Sequence, residues 1–263
     1  MRSDVLDRTV AAIAARAQWF LLIEELPIRK GLLQAVAPSL KVVGVFALVV
    51  VTVIQQELRT VGPLVVLSVL LAVASRIPLR TFLGRLAGPP LVAAVVVAPQ
   101  AVLMDGPRLA TLPLSVAGVD YVATFTVRVA ACVGFLSLLL LTTRFSTLLS
   151  GFDRLRVPRI AVLLLAITYR YLLVFFAELE RMVRARRSRR LAEPDLRRTW
   201  RDSGNFVGTF LLRSLERGER VGRAARARGG TGGTPHRPPT RLGRADLAFG
   251  LIVALTVVGV IVA

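Results

Sequence analysis

From Tyr121 to Thr143 the chain runs for 23 residues with a single charge, Arg128, and few folded states accept such a stretch. About 20 consecutive apolar residues cross the hydrocarbon of a bilayer as a helix, where a helix satisfies its own backbone groups without water. Four other stretches have the same character. Pro38 to Gln56 carries only Lys41, close enough to its start to snorkel towards the interface. Thr60 to Ser75 is short, and Leu86 to Met104 contains Pro89, Pro90 and Pro99, which predict kinks or a broken helix. Leu247 to Ala263 closes the chain as 17 uncharged residues. Hydrophobic residues make up 54% of the 263 and the mean hydropathy is +0.64, too apolar for an ordinary soluble domain. The sequence therefore predicts an all-α polytopic membrane protein with about five transmembrane helices. Its first span is retained, because the first long apolar stretch begins near residue 40 behind a charged segment and does not resemble a cleavable leader.

Charge assigns the sides. The chain has 35 Lys and Arg against 16 Asp and Glu, a net charge of +19. Lys and Arg number five in residues 1–39, one in 57–59, three in 76–85, one in 105–120 and four in 144–159. By the positive-inside rule these connections alternate in, out, in, out, in. The segment 181–244 then holds 18 arginines. The stretch Ile160 to Ala177 is apolar enough to cross, though Tyr169-Arg170-Tyr171 interrupts it. If it crossed, that whole cluster would lie outside, so the rule keeps it along the membrane or against the other helices. The expected organisation is an amphipathic N-terminal segment (1–36), a membrane domain of four spans (37–143), long horizontal cytoplasmic helices (144–230), a flexible linker (231–244) and a last transmembrane helix (245–263). The N-terminus is expected in the cytoplasm and the C-terminus outside.

Within 144–230 the pattern is helical: Ser146 to Leu155 is short and amphipathic and stops near Pro158. A long helix follows from Pro158 to about Leu191, broken by Pro194, and another from about Leu196 to Ala227. The run Gly229-Gly230-Thr231-Gly232-Gly233 ends it.

No catalytic constellation is visible. His236, the only histidine, stands in a Pro/Gly segment without convergent metal ligands, and it reads as a solvated loop residue. The lone Cys132 excludes a disulfide framework. No glycine loop followed by Lys-Ser/Thr is present, so the chain has no common ATP site of its own. Asp105, Asp120 and Asp153 stand apart, so no carboxylate pair is formed. No cofactor or metal is expected in this chain.

Two features remain. Arg128 is a guanidinium inside an apolar span, either hydrogen-bonded within the helix bundle or snorkelling, or else meeting a mobile membrane partner. The second feature is two arginine clusters, Arg184-Ala185-Arg186-Arg187-Ser188-Arg189-Arg190 and Arg223-Ala224-Ala225-Arg226-Ala227-Arg228-Gly229, each ending a long helix. Cations there suit the helix macrodipole and anionic lipid. They also suit docking on a dimeric soluble partner, because the planar guanidinium pairs bidentately with carboxylate and alanine permits close approach.

These residues resemble the transmembrane component of energy-coupling factor transporters, in particular the cobalt and nickel (CbiQ-like) branch. The run Leu211-Leu212-Arg213-Ser214-Leu215-Glu216-Arg217-Gly218-Glu219-Arg220-Val221 followed by Ala227-Arg228-Gly229 is similar to the family's second signature. The family's first signature, Ala-Arg-Gly, has as its counterpart Ala185-Arg186-Arg187, a departure that removes the helix-ending glycine. Ala37-Pro38-Ser39-Leu40-Lys41, Leu141-Thr142-Thr143 and Leu155-Arg156-Val157-Pro158-Arg159 extend the likeness in collinear order. The resemblance implies a non-catalytic scaffold with two ATP-binding-cassette ATPases below, which bind the ATP, and a small substrate-binding membrane subunit alongside. It implies ATPase contacts at Ala185, Arg186, Arg187, Ala227, Arg228 and Gly229, with Arg186 and Arg228 as plugs in acidic grooves. Such a chain sits in a bacterial or archaeal cell membrane.

Two readings from other classes compete. A membrane-tethered nucleic-acid binder would need aromatic or groove-reading residues among the arginines, which are nearly absent. A self-contained channel or secondary transporter would need ionisable residues at the midplane of several helices, and only Arg128 qualifies. The transported substrate, a vitamin or a metal ion such as cobalt or nickel, is not written in this chain.

Overall fold

In a bilayer the hydrophobic effect does not press helices together, so packing depends on close approach and on polar contacts at helix ends. The computed structural model describes residues 31–107, 115–155, 157–188, 196–229 and 243–262, and among them the regular elements are helices, joined by short turns. The elements are α1 (Leu32–Ala35), α2 (Pro38–Ile54), α3 (Leu58–Ala74), α4 (Leu79–Val97), α5 (Gln100–Leu103), α6 (Val116–Thr142), α7 (Phe145–Arg154), α8 (Arg159–Ser188), α9 (Leu196–Ala227) and α10 (Arg244–Val262). The chain is an all-α polytopic membrane protein. The stretches Leu79–Leu103, Val116–Thr142 and Ile160–Ala185 are long and apolar enough to cross a membrane, and Pro38–Ile54 and Leu58–Ala74 are shorter apolar helices.

Two compact units divide the described residues. One comprises the described residues from 31 to 162 and from 243 to 262, the other those from 163 to 229. The N-terminal segment, the linker 231–242 with His236, and Ala263 lie outside the described residues.

In the first unit α6 is the hub, packed against α2, α3, α4 and α5. Its inner face carries Gly118, Thr124, Ala131, Gly134, Phe135 and Leu138, all buried. Small residues allow this: a Cβ on Gly118 would stand 2.6 Å from the Gln100 carbonyl oxygen of α5, and one on Gly134 would meet Ser68 Oγ of α3 at 2.7 Å. On α2, Gly44 faces Phe249 of α10 in the same way, at 2.5 Å. Phe82, Phe135 and Phe249 fill the core that these approaches leave, while Leu91, Val92, Val95 and Val96 of α4 point outward. Pro89 and Pro90 lie inside α4, and the chain breaks only between Val97 and Gln100, at Pro99. The predicted interruption therefore belongs to Pro99, which caps the one-turn α5.

The ends of three helices are tied by polar groups. Lys41 does not snorkel as the sequence suggested; it is 2% exposed. Its Nζ donates to Thr143 Oγ1 at 2.8 Å and to the Thr142 carbonyl at 3.4 Å, where the end of α6 supplies acceptors and a favourable dipole. Asp246, 4% exposed, accepts from the Ala37 amide (2.6 Å) and the Gly243 amide (2.8 Å). Its carboxylate also acts on the Lys41 charge. The starts of α2 and α10 and the end of α6 thus meet at one end of the unit. The short helix α7 packs there as well, with Gly151 against Pro38 and Ser39. It packs on α2 within this unit. The amphipathic pattern of α7 has an available apolar partner in α2, and that packing sets its place.

Asp246→Ala would leave two helix-start amides without their acceptor and Lys41 without its counter-charge. We expect a loss of about 2–4 kcal/mol, read as a lowered midpoint of thermal unfolding in detergent, with Asp246→Asn milder because one acceptor remains.

Candidate functional site

The second unit contains α8 from Leu163 onward and all of α9. In α9 the half-buried positions Phe206, Phe210, Ser214, Arg217 and Val221 recur at helical spacing, so one face of this otherwise polar helix is inward. Phe210 meets Phe175 of α8 edge-on, with ring centroids 5.9 Å apart. Arg213 Nη1 bonds Glu178 Oε1 at 3.1 Å, and Arg181 Nη2 holds the other Glu178 oxygen at 2.7 Å. Both contacts advance in the same sense along the two helices, 175 to 178 and 210 to 213, as at a crossing; an antiparallel hairpin would advance them in opposite senses. Phe175, Glu178, Arg213, Ser214, Arg217 and Arg220 line a shallow groove at this crossing. Ser214 Oγ donates to the Phe210 carbonyl, whereas Leu215 is 58% exposed. With Val207 and Leu211 it makes an open apolar stripe.

The crossing residues Phe175, Glu178 and Phe210 were not singled out by sequence. Glu178 carried a usable signal, as the first carboxylate after the apolar half of α8, facing a helix rich in arginine.

The arginine-rich ends differ from each other. At the end of α9, Ala227 is the last helical residue. The Arg228 amide reaches back to the Ala224 and Ala225 carbonyls, and the Gly229 amide reaches the Arg226 carbonyl at 3.1 Å. Gly229 has φ +89°, the left-handed conformation that only glycine adopts cheaply. The sequence reading of Gly229 as the stop is therefore a statement about backbone geometry. Ala227, Arg228 and Gly229 are all exposed. At the end of α8 no glycine intervenes. The helix continues through Ala185, Arg186 and Arg187 to Ser188, whose hydroxyl bonds the Ala185 carbonyl at 3.0 Å. Ala185 is exposed; the side chains of Arg186 and Arg187 lie outside the described residues, as do Arg189 and Arg190.

Several arginines are already committed. Arg181 and Arg213 pair with Glu178, Arg184 with Glu180 at 3.3 Å, and Arg223 with Glu219 at 3.9 Å. These are surface pairs, each contributing little. Among the described residues no carboxylate lies within ion-pair reach of Arg228.

Arg128 belongs to the membrane unit. It is the thirteenth residue of α6, its Nε is buried without a hydrogen-bond partner, and the hydroxyl of Thr124, one turn earlier, is buried and unpartnered too.

A family model described as CbiQ, cobalt transport protein, matches residues 30–240, a stretch that takes in every described helix except α10. The Cobalt transport protein CbiQ of Rhodobacter capsulatus is 30% identical over 182 residues, covering 66% of this chain and 74% of that protein. The Uncharacterized protein MJ1571 of Methanocaldococcus jannaschii is 24% identical over 261 residues, covering 95% and 88% of the two chains.

The helix stop at Gly229 has a direct test. Gly229→Ala would force a Cβ into the left-handed region and is expected to cost about 1 kcal/mol. The readout is faster hydrogen exchange at the Arg228 and residue-229 amides; Gly229→Asn, which tolerates this conformation, should recover part of the protection.

Proposed function

Because this chain belongs to the CbiQ family of cobalt transport proteins, and is thus a multi-pass membrane component of a transporter, we propose that it is the scaffold subunit of an energy-coupling factor importer. In this role it binds no nucleotide and catalyses nothing. Two ATP-binding-cassette ATPases hold and hydrolyse the ATP, and a small substrate-binding membrane subunit alongside carries the cargo. The name of the Rhodobacter relative favours a cobalt or related metal ion as that cargo, with vitamins as the other class.

The observation that carries the reading is the end of α9: an exposed arginine with no internal carboxylate, between an alanine and a left-handed glycine that stops the helix. A plug for an acidic groove needs a free charge, a small neighbour and a fixed direction, and Arg228 has all three. Arg186 is its counterpart on α8, flanked by Ala185 and Arg187. Closure of the ATPase pair would drive the two helix ends. The crossing at Phe175 and Phe210, with Glu178 bridging to Arg213, would pass that displacement along both helices to the membrane subunit.

The same reading keeps Ile160 to Ala177 out of the hydrocarbon core. Ala37 and Asp246 share a hydrogen bond at the starts of the first and last spans, and Lys41 reaches the end of α6 at the same level. Four crossings separate Ala37 from Thr143, so the chain returns to its starting side. It must begin α10 from that side too, and a single crossing by α8 would break the parity. With 18 arginines between residues 181 and 244, that side is the cytoplasm, the N-terminus lies within and the C-terminus outside.

Two measurements test this. Arg228→Ala should weaken ATPase co-purification by about 2–5 kcal/mol, the usual loss on truncating a buried charge pair, while Arg237→Ala in the linker changes mainly its salt dependence. Arg186→Ala with Arg228→Ala should abolish uptake; equal effects of the 228 and 237 substitutions would remove the plug role. For sidedness, Cys132→Ala is combined with Trp200→Cys or Ala263→Cys. An impermeant thiol reagent should label position 263 and spare position 200 in intact cells, and labelling at 200 would reverse the topology.

A further inference from the structure

The described part of the chain satisfies its buried charges with one exception. Lys41 and Asp246 sit at helix ends with hydrogen-bond partners, but Arg128 has none. Its Nε is buried and unpaired, and among the described residues its terminal nitrogens make no hydrogen bond and are not buried. Thr124 is 3% exposed, and its hydroxyl makes no bond, although Thr126 and Thr142 of the same helix each bond the carbonyl one turn back. Two polar side chains one turn apart are therefore left without partners.

Depth decides what can complete them. The charge-free stretch of α6 starts at Tyr121, and Arg128 lies seven residues further along, about 10 Å inside a hydrocarbon layer about 30 Å thick. Snorkelling serves residues near helix ends, so lipid phosphate is out of reach. A soluble subunit is out of reach as well. A second copy of this chain would insert in the same direction, and at that depth its described spans carry no carboxylate: Asp120 is one turn into α6 and Asp246 two residues into α10.

We propose that the Arg128 guanidinium, with Thr124 beside it, is the docking point for a transmembrane helix of the neighbouring substrate-binding membrane subunit, which presents a carboxylate at the same depth. This rests on the reading of the chain as a scaffold for such a subunit and names where the two touch within the bilayer. The surrounding surface fits a helix. Tyr121, Phe125, Arg128, Cys132 and Leu136 follow one another at spacings of three or four along the accessible side of α6. Tyr121 and Phe125 stack with centroids 6.3 Å apart, a stiff apolar ledge beside the charge. A carboxylate arriving there would take the terminal nitrogens, and the pair, shielded from water, would fix both register and rotation of the incoming helix.

The test places the photo-crosslinker benzoylphenylalanine at Phe125 in the native membrane and identifies the adduct by mass spectrometry. The expected product is a peptide from another membrane protein with Asp or Glu within its span. Arg128→Leu should lower the yield of that product at least about tenfold. The same substitution should leave the unfolding midpoint of the full chain in detergent unchanged or higher, because it removes a charge with no internal partner. An adduct with this chain itself, with lipid only, or with a span lacking a carboxylate overturns the proposal; so does a yield indifferent to Arg128→Leu, or a chain that this substitution unfolds. Co-purification of ATPases with the unsubstituted chain is scored separately: its absence removes the scaffold reading, whereas its presence with a lipid-only adduct removes only the Arg128 contact.

Discussion

One carboxylate sets the frame of the membrane unit. Asp246 accepts the amide of Ala37, 209 residues earlier in the chain, and that of Gly243 in its own turn, so two helix starts share one acceptor. Helix starts need acceptors and favour negative charge, whereas helix ends favour positive charge. Lys41, buried beside the end of α6, supplies the second half of that pattern. Each ion is matched to the helix terminus it suits, and α2 and α10 consequently leave the same level at which α6 arrives. The directions of three helices, and the parity of everything between them, follow from these few hydrogen bonds.

The rest of the unit depends on backbones coming close where water gives no help. Gly118 lies against the backbone of α5, Gly134 against Ser68, and Gly44 against the ring of Phe249. A side chain at any of these would push its helix outward and strip the dispersion contacts that hold the bundle. The hub helix α6 can therefore touch four others with its small face while leaving Leu136 and Leu140 facing out. The same division of faces leaves Arg128 at the border between them.

The spans were legible in the sequence because charge-free length is a direct demand of the bilayer. Pro38 to Gln56, Thr60 to Ser75 and Tyr121 to Thr143 overlap α2, α3 and α6 to within a few residues at each end, and Leu247 to Ala263 falls within three residues of the start of α10. The stop of α9 at Gly229 was legible for a comparable reason, since few residues accept that backbone conformation. What could not be read was which distant pieces meet. Lys41 reads as a snorkelling lysine in the sequence because its acceptors, Thr142 and Thr143, lie 101 and 102 residues on. Ala37 to Lys41 and Leu141 to Thr143 are separate stretches in the sequence, and the fold makes them the two sides of a single contact. The amphipathic pattern of α7 tells that a face will be buried without telling against what, and the fold supplies α2.

The two arginine-rich helix ends, alike in composition, are not equivalent physically. At the end of α9 the glycine turn fixes where the helix stops, so the direction of Arg228 is decided by backbone geometry before any partner arrives. At the end of α8 an arginine stands in place of that glycine, and the helix continues at least to Ser188. Arg186 is thus an internal helical residue, and its neighbour Arg187 is a second cation in the sequence. Ordering a long side chain on binding costs free energy, and a preset helix terminus reduces that cost at one site more than at the other. On the scaffold reading proposed above, two identical acidic grooves would grip the two helix ends unequally, the α9 end more firmly because its backbone stop at Gly229 is preset.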